Sequence, residues 1–498
     1  MGPYSVASQL QAEGLEVVVL DYFTKKSDFF EYLSNFIGDE TVAVGISSTF
    51  LSPHRRGVRG DNFIVAEQAQ YFSETLFCED DFQLKKWFSK LKELLSAKAP
   101  KGRIFLGGTK APSAISNAAV FADVDYVCVG AGDYSFRDAV VALSKGEEPD
   151  HFVKSGVRIL SGLSTKVRTQ LCPEAHMNSN FGIQMNEALP IEISRGCVFN
   201  CKFCHYEKKE SIRKDPVILK NEMIRNYERF GTTTYYFTDD CFNDHRQKVD
   251  TYCEMFLSLP FKIEWVAYAR VDVAVKFPET ARLMVESGAR GLFWGLESFN
   301  EEVARKAGKG TPTDKVKSFL LDFYKDYRGR CMSAGSFIVG LPGEDEASIR
   351  STMSWLAEND ALDMIYVGPL MIAPYAANLD KLVIDYADYS RNPEKHGFKT
   401  IRFSPDYWEH EQMNSDQANV LSKEFYRSWS EIKKVGPVVS VWRYPHLRTL
   451  GFTPDEIFGQ LKLNDDSERF GEMAESRFEH FLEDYFQSLI AGTKSCRT

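Results

Sequence analysis

The sequence predicts an α/β protein built from an N-terminal doubly wound parallel sheet, a partial (β/α)6 barrel and a mainly helical C-terminal region. In both halves, short apolar runs of strand length alternate with helical segments, which is the order of parallel βα units. Glycine-rich turns end the strands of the first half, and polar residues end those of the second. We therefore divide the chain into a sheet domain (1–150), a linker (151–186), a barrel (187–375) and a C-terminal region (376–498).

The predicted sheet domain opens on a helix rather than a strand. Its helices are expected at 5–13, 29–35 and 80–98, and its strands at 15–21, 41–49, 103–109 and 126–133. The first strand of such a sheet is an interior one, and its loss would expose two hydrophobic edges. The sequence therefore predicts either a fragment that begins at an internal methionine or another element that fills the gap.

Small residues end the strands of this domain, where the backbone can approach a ligand closely. The candidates are Ser47, Gly107, Gly108, Gly130 and Gly132. Any doubly wound domain shows such turns, so by themselves they indicate a ligand-binding edge and no particular ligand.

Composition and charge argue against several classes of function. The 498 residues suffice for two or three domains with their own cores. No apolar run approaches the roughly 18 residues of a membrane span. The formal net charge of −10 argues against nonspecific nucleic-acid binding, which needs dense Lys and Arg. The cysteines are scattered and follow no secretory signal, which argues against disulfides and favours the cytoplasm.

Three cysteines in one short run, Cys197, Cys201 and Cys204, are the strongest functional signal in the chain. Soft sulfur ligands select iron–sulfur clusters, zinc or cuprous copper, and three thiolates on a tight loop favour an iron–sulfur cube. A cube has four irons, so three cysteines leave one iron open as a reaction centre. Zinc is the alternative, and it would need a fourth ligand. His205 is too close to Cys204 to complete an ordinary tetrahedron easily, so the candidates for that ligand are Cys241, His245 and Cys253.

The second half predicts six parallel strands with helices between them. The strands are expected just before the cysteines and at 233–238, 263–268, 291–298, 332–339 and 364–371, and the helices include 211–229 and 278–287. In such barrels the chemistry lies at the carboxyl ends of the strands. The polar residues there are Asp239, Asp240, Arg270, Glu297, Ser298 and the Gly340–Glu344 turn. Each alone could be a helix cap, a surface ion pair or a plain turn, but in register with the cysteine loop they predict one site.

The C-x3-C-x2-C spacing after a strand, with Phe203 before the last cysteine, resembles the signature of the radical SAM superfamily. The resemblance covers about 187–375 and implies a TIM-type barrel whose cysteines hold a [4Fe–4S] cluster. It also implies that the open iron binds S-adenosylmethionine (SAM), which one electron cleaves to a 5′-deoxyadenosyl radical. A reductant such as flavodoxin or ferredoxin would supply the electron, and an oxygen-sensitive cluster again favours the cytoplasm.

The same resemblance implies roles for the residues at the strand ends. The residues that match contacts to the methionyl amino group of SAM are Thr238, Asp239 and Asp240, and those that match positions near its carboxylate and ribose are Arg270 and Glu297. Gly340 and Pro342 match the turn against the adenine, and Ser298 is a further cofactor-binding candidate. The last strand departs from the family pattern, because Ile372–Tyr375 stands where relatives often have a Pro-Gly-Thr turn.

The order of the first half resembles the cobalamin-binding domain that precedes the barrel in one radical SAM subgroup. The small residues at its strand ends match that domain, so the resemblance implies bound cobalamin. Methylation of an unactivated carbon is the commonest chemistry of that subgroup, and it is the leading prediction for this chain.

Other functions stay open at this point. A radical SAM enzyme could instead catalyse a rearrangement, cyclisation or oxidation without methyl transfer from cobalamin. A methylthiotransferase fits less well, because the first domain contains Cys78 and Cys128 rather than three further cluster cysteines. A zinc-stabilised binding protein is the alternative from a different class. The sequence does not indicate the substrate.

Overall fold

The computed structural model confirms the predicted order of a parallel sheet, a six-stranded barrel and a mainly helical C-terminal region. It describes residues 2–47, 51–53, 76–78, 81–108, 111–116, 118–162, 174–178, 181–204, 211–372, 387–403 and 406–496. The barrel and the C-terminal helices share one hydrophobic core, which Tyr4, Tyr22 and Tyr32 of the N-terminal segment join. The N-terminal sheet has two smaller cores of its own.

The N-terminal part folds into a five-stranded sheet with helices packed on it. Its strands are β1 (Ala43–Ser47), β4 (Arg103–Gly107), β5 (Tyr126–Gly130), β6 (Phe152–Lys154) and β7 (Val157–Gly162), and β2 (Leu51–Pro53) and β3 (Leu76–Cys78) form a separate parallel pair. The helices of this part are α1 (Gly2–Ala12), α2 (Phe29–Leu33), α3 (Asp81–Lys98), α4 (Ser113–Ser116) and α5 (Gly132–Ser144). The sheet order is β1-β4-β5-β7-β6, parallel except for the β6–β7 hairpin. β5 is buried along its apolar residues, as expected for a parallel strand covered on both faces.

The prediction of a strand at 15–21 is wrong. These residues form no strand; the Asp21 N–H donates to the Tyr485 hydroxyl (2.6 Å), and Val19 is buried in the core shared with the C-terminal helices. The apolar run is used for packing against a helix, because burial of its side chains against any neighbour satisfies the same pattern.

The segment predicted as a linker, 151–186, contains a strand-like piece in the sequence at 156–160, and the structure extends the sheet there. It supplies β6 and β7, and β7 pairs in parallel with β5, so the sheet continues through Gly162. Among the described strands, β1, β4, β5 and β7 pair consecutively, with β1 at one edge of the sheet.

The barrel consists of six parallel strands in sequence order, with helices between them. Its strands are β8 (Leu189–Ile191), β11 (Thr234–Phe237), β12 (Glu264–Arg270), β13 (Ala289–Glu297), β14 (Met332–Val339) and β15 (Met364–Pro369), and a short antiparallel pair, β9 (Ser194–Arg195) and β10 (Ile212–Arg213), lies between the first two. The helices are α6 (Pro216–Phe230), α7 (Arg246–Leu257), α8 (Val271–Lys276), α9 (Pro278–Glu286), α10 (Glu301–Ala307), α11 (Thr313–Tyr327) and α12 (Glu346–Glu358).

Local chemistry explains where α6 begins. The helix predicted from residue 211 starts only at Pro216, because Ile212 and Arg213 pair with β9. The Asp215 carboxylate accepts from the Val217 N–H (2.7 Å) and caps the helix, and a proline suits the first helical turn.

The C-terminal region contacts both ends of the barrel strands: a short helix, Tyr444–Thr449, lies against the start of β12, and a hairpin packs on the turn after β14. It contains the hairpin β16 (Phe398–Phe403) and β17 (Asp406–His410) and the helices α13 (Asp388–Arg391), α14 (Ser415–Lys433), α15 (Tyr444–Thr449), α16 (Pro454–Gly459) and α17 (Ser467–Cys496). At the start of β12, Glu264 accepts from Arg448 (2.7 Å) and from the Tyr444 hydroxyl (3.0 Å). Within the part of the chain that the structure describes, no helix is long and apolar enough to cross a membrane.

Candidate functional site

The three cysteines lie on a loop that is held by the β9–β10 pair on one side and by the end of α10 on the other. The β9–β10 pair closes the base of the loop, with Cys201 buried and Cys197 and Cys204 half-buried. On the other side, Gly308 follows α10 with a φ of +99°, and a Cβ there would lie 3.0 Å from the Cys201 Cα. The loop therefore packs directly on the end of α10, an approach that glycine permits.

A buried ion-pair network lies behind the loop. The Asp239 carboxylate accepts from the Ile193 N–H (3.0 Å) and the Ser194 hydroxyl (2.5 Å), and it pairs with Lys248 Nζ at 3.1 Å. Lys248 also donates to the Cys241 carbonyl (2.9 Å) and lies 3.6 Å from Asp244. Burial lowers the pKa of Lys248, but the carboxylates of Asp239 and Asp244 outweigh it and hold that pKa above its usual value.

One of the residues predicted to contact the SAM amino group, Asp239, belongs to this ion-pair network. Both Asp239 oxygens already hold the segment that leads into the cysteine loop, so this residue positions the loop. Thr238 is exposed at the end of β11 and hydrogen-bonds the Ile191 carbonyl, and Asp240 is half-buried beside it. The other two predicted contacts, Thr238 and Asp240, follow the carboxyl end of β11.

A fourth cysteine contacts the loop. A hydrogen bond between the side chains of Cys197 and Cys241 lowers the pKa of Cys197 to about 7 and raises that of Cys241 well above its usual value. The thiolate is the form of cysteine that binds metal, so this shift suits a metal ligand.

Arg270, predicted to lie near the SAM carboxylate, contacts the cysteine loop. Its Nη1 donates to Cys201 Sγ (3.0 Å) and its Nη2 to the Gly308 carbonyl (2.6 Å). Its Nε pairs with Asp272 at 2.6 Å, and the Phe199 ring lies 3.8 Å from the guanidinium carbon. Burial lowers the pKa of Arg270, but the Cys201 and Asp272 side chains raise it by more.

Glu297 lies at the end of β13, where the register with β14 shifts in a bulge. Its φ is +65°, a conformation that costs a non-glycine residue about 1–3 kcal/mol and is concentrated at functional sites. One carboxylate oxygen pairs with Lys309 at 3.1 Å and the other accepts from Ser336 (3.1 Å). Gly295 leaves room for this pair, because a Cβ there would lie 2.8 Å from the Glu297 carboxylate.

Glu344 ties the ends of β13 and β14 together. It accepts from the Ser298 hydroxyl (2.6 Å) and from the Gly340 N–H (3.3 Å), and burial raises its pKa to about 7. Ser298 is therefore occupied by Glu344 as well as by the Asn300 N–H (3.1 Å). The predicted Gly340–Glu344 turn forms with Pro342 buried, and Gly340 packs on Trp408 of the C-terminal hairpin.

Aromatic rings cluster on neighbouring barrel strands next to these polar groups. Tyr268 lies two residues before Arg270 on the same strand face and is 39% exposed, and its ring centroid lies 5.1 Å from that of Phe293 and 4.4 Å from that of Trp442. Phe293 in turn lies 4.8 Å from the ring of Tyr366. The site thus combines an apolar lining with a polar rim.

The small residues of the N-terminal sheet do share one edge. Ser47 and Gly107 are register partners at the ends of β1 and β4, and Gly130 ends β5 next to them. Gly108 and Gly130 have φ values of +90° and +89°, and Gly132 begins α5, so glycine is required at the two turns.

An ion pair joins this edge to the cysteine loop. Asp133, the residue after Gly132, lies 2.5 Å from Arg195, which also pairs with Glu192 at 2.7 Å and comes two residues before Cys197. The Ser5 hydroxyl donates to the same aspartate. Burial raises the pKa of Asp133, but Arg195 outweighs it and the net shift is downward.

The donor set fits an iron–sulfur cube better than zinc. Among the described residues, no three His, Cys, Asp or Glu side chains are arranged to hold a single metal ion, and His205 lies outside those residues. Each cysteine of a cube binds a different iron, so its ligands need not converge on one point. The lowered pKa of Cys197 and the burial of Cys201 suit such a cluster.

Several residues of the site were not predicted. Lys248 carried a signal, because it lies four residues before the buried Tyr252 and so interrupts the apolar face of α7. Lys309 stands between two glycines, and Asp133 and Arg195 are ordinary charges in the sequence, so pattern alone could not have paired them.

A model of the radical SAM superfamily matches residues 191–356. An uncharacterised methyltransferase of Pyrococcus horikoshii is 26% identical over 274 residues, which cover 51% of this chain and 56% of that protein. Bacteriochlorophyllide d C-12(1)-methyltransferase of Chlorobaculum tepidum is 24% identical over 189 residues, covering 37% of this chain and 40% of that protein. The chain therefore matches about half or less of the length of these curated relatives.

Two solved structures share the fold. The radical SAM methyltransferase TsrM of Kitasatospora setae, with tryptophan substrate and a SAM analogue bound, aligns with a TM-score of 0.55 at 14% identity, over 78% of this chain and 72% of that one. The cobalamin-dependent SAM radical enzyme OxsB aligns with a TM-score of 0.54 at 14% identity, over 98% of this chain and 81% of that one. The superfamily match spans the barrel strands that carry the site, so residues 191–356 are similar to a radical SAM domain, and such a domain implies a [4Fe–4S] cluster and SAM.

Proposed function

We propose that this protein is a cobalamin-dependent radical SAM methyltransferase acting on an unactivated carbon. The observation that carries the proposal is the Asp133–Arg195 ion pair, which joins the glycine-rich edge of the N-terminal sheet to the cysteine loop. Two cofactors bound at these two places would face each other, as transfer of a group between them requires. The names of the methyltransferase relatives and the fold shared with TsrM and OxsB support the same reading.

The residues of this chain would hold the cofactors as follows. Cys197, Cys201 and Cys204 would ligate the cluster, with Phe203 packed against the barrel core beside them. When bound, the cluster supplies the electron that cleaves SAM, and cobalamin supplies the methyl carrier. Thr238 and Asp240, at the open end of β11, are the residues we assign to the SAM amino group.

The other side of the site would hold the rest of SAM and the substrate. The Glu297–Lys309 pair places a carboxylate and an ammonium group at the end of β13, where hydroxyl and carboxylate groups of SAM could hydrogen-bond. The aromatic lining formed by Tyr268, Phe293 and Tyr366 suits a substrate that presents an uncharged carbon. It would also exclude water, which would otherwise quench a reactive intermediate.

Anaerobic reconstitution tests the class of enzyme. The full chain, reconstituted with iron and sulfide and incubated with SAM, dithionite and hydroxocobalamin, should form 5′-deoxyadenosine, and the Cys201→Ala variant should form none. Cys253→Ala is the matched control, since Cys253 is a buried cysteine on α7 away from the loop. A colourless protein that carries one zinc ion would overturn the proposal in favour of a zinc-stabilised binding protein.

Cobalamin binding separates the leading proposal from its runner-up. Retention of cobalamin after gel filtration, seen in the visible spectrum, supports methyl transfer. SAM cleavage by a protein that retains no cobalamin would instead indicate a rearrangement, cyclisation or oxidation. An external reductant such as flavodoxin or ferredoxin goes with the proposal, because SAM cleavage needs an electron. A cytoplasmic location goes with it as well, since the described cysteines are all free thiols.

A further inference from the structure

We infer that Arg270 is a positioning residue that raises the reduction potential of the cluster through Cys201, and that it does not bind SAM. The inference rests on the proposed function only in requiring a cluster on the cysteine loop. It differs from the sequence analysis, in which the family resemblance implied that Arg270 lies near the SAM carboxylate and ribose.

The hydrogen bonds of the guanidinium engage each of its three nitrogens. A bidentate carboxylate needs two adjacent N–H groups that point the same way. In Arg270 the three nitrogens already donate to Cys201, to the Gly308 carbonyl and to Asp272, which uses three of the five N–H groups. The Phe199 ring covers one face of the group, with its centroid 3.8 Å from the guanidinium carbon.

The position of Arg270 is fixed by its backbone as well. The Asn243 side chain accepts from the Arg270 N–H (2.6 Å) and donates to its carbonyl (2.9 Å). Arg270 is only 6% exposed. The contact to Cys201 is therefore part of the folded barrel and differs from a surface ion pair, which solvent would weaken.

Such a contact has a predictable electronic effect. The reduced cluster carries one more negative charge than the oxidised one, and its potential depends on hydrogen bonds to the sulfurs, on nearby charge and on solvent exposure. A buried guanidinium that donates to a cluster sulfur stabilises the reduced form, so it makes reduction easier. Asp272 offsets part of this effect, because its carboxylate lies 2.6 Å from Arg270 Nε.

The decisive measurement is the midpoint potential of the cluster in the reconstituted full chain. It is obtained from a redox titration in which electron paramagnetic resonance detects the reduced cluster. Arg270→Met removes both charge and donor and should shift the midpoint to a more negative value. Asp272→Asn leaves the guanidinium uncompensated and should shift it to a more positive one. Arg270→Lys keeps the positive charge but lacks the several N–H groups of the guanidinium, so its midpoint potential should lie between those of wild type and Arg270→Met.

Arg290→Met is the matched control. Arg290 also pairs with a barrel carboxylate, Glu264, but at the amino end of the strands, so its loss should leave the midpoint unchanged. Iron and sulfide content, measured on every variant, shows that the cluster is assembled. If Arg270→Met assembles no cluster, the opposite shifts of Asp272→Asn and Arg270→Lys still decide the question.

Two results would overturn the inference, and they differ from failure of the proposed function. Unchanged midpoints in Arg270→Met and Asp272→Asn would remove the electronic role. A large loss of SAM affinity in Arg270→Met with an unchanged midpoint would return the residue to SAM binding. A wild-type chain that assembles no cluster would instead refute the proposed function itself.

Discussion

Lys248 shows at the scale of one residue how the cysteine loop is held. Its ammonium group is buried among Asp239, Asp244 and Ser194, and Asp239 in turn binds the backbone of the segment before the loop. Removing one partner of a buried ion pair leaves an uncompensated charge, which costs about 3–5 kcal/mol. The lysine is therefore a structural requirement of the loop, although it contacts no cysteine side chain through any described hydrogen bond.

Lys248→Met should lower the free energy of unfolding by about 3–5 kcal/mol, because Asp239 and Asp244 would lose their countercharge. Iron incorporation should fall with it, since Asp239 would no longer hold the segment before Cys197. Urea unfolding and iron analysis check the two effects. Lys220→Met is the control: this lysine hydrogen-bonds Ser258 at the surface, and its loss should cost less than about 1 kcal/mol. Equal effects of the two substitutions would contradict the role given to Lys248.

At the scale of elements, the C-terminal hairpin completes the turn that follows β14. Gly340 has a φ of +94°, and a Cβ there would lie 2.3 Å from the Trp408 ring. The Trp408 indole N–H donates to the Leu370 carbonyl (2.8 Å) after β15, and His410 contacts the Gly340 carbonyl at 3.2 Å. The hairpin thus joins the ends of two neighbouring barrel strands.

Gly340→Ala and Gly343→Ala separate packing from backbone strain. Both positions have a positive φ, but a Cβ at Gly343 would meet nothing closer than 3.8 Å. Each alanine should cost about 1–2 kcal/mol for the left-handed backbone. Gly340→Ala should cost about 1–3 kcal/mol more for overpacking against Trp408. Thermal unfolding measures the difference, and similar melting temperatures for the two variants would show that the hairpin does not dock on this turn.

At the scale of the whole molecule, a buried acidic junction joins the N-terminal segment, the start of the barrel and α17. The Tyr4 hydroxyl donates to Asp21, and the Asp21 N–H donates to Tyr485. Glu187 is buried nearby, where burial is the main cause that raises its pKa to about 8 and Asp21 raises it further. Burial likewise raises the pKa of Asp21.

This junction predicts a pH dependence of stability. Folded Glu187 keeps its proton up to about pH 8, whereas the unfolded side chain loses it near 4.5. Its contribution to stability is therefore complete below pH 4.5 and is lost as the pH rises to about 8, by about 1.4 kcal/mol for each pH unit in that window. Melting temperatures of wild type and Glu187→Gln, measured from pH 6 to 9, check this.

Glu187→Gln should flatten the decline, because a neutral amide has no proton to lose. The exposed Glu228→Gln on α6 serves as the control and should leave the slope as in wild type. A Glu187→Gln variant that keeps the full slope would show that other groups cause it.

Most of the barrel could be predicted from the sequence, since short apolar runs, helical segments and turn residues recur in order and each reports its own element. The cysteine loop was predicted for the same reason: its residues are neighbours in the chain. Residues 15–21 show the limit of this reasoning, because an apolar run predicts that its side chains are buried but does not indicate which element buries them. Whether it pairs in a sheet or packs on α17 depends on a helix more than 400 residues away, as the Asp21–Tyr485 bond shows with a separation of 464.

The sequence by itself determined the three-cysteine loop, the order of the barrel strands and the glycine turns of the N-terminal sheet, since these depend on local spacing and periodicity. Only the tertiary structure decided what Asp239 and Arg270 contact, that Lys248 and Lys309 belong to the site, and that Asp133 reaches Arg195. These are charged groups whose partners are distant in the chain. The cost of burying a charge fixes that a partner exists, but only the folded chain decides which one it is.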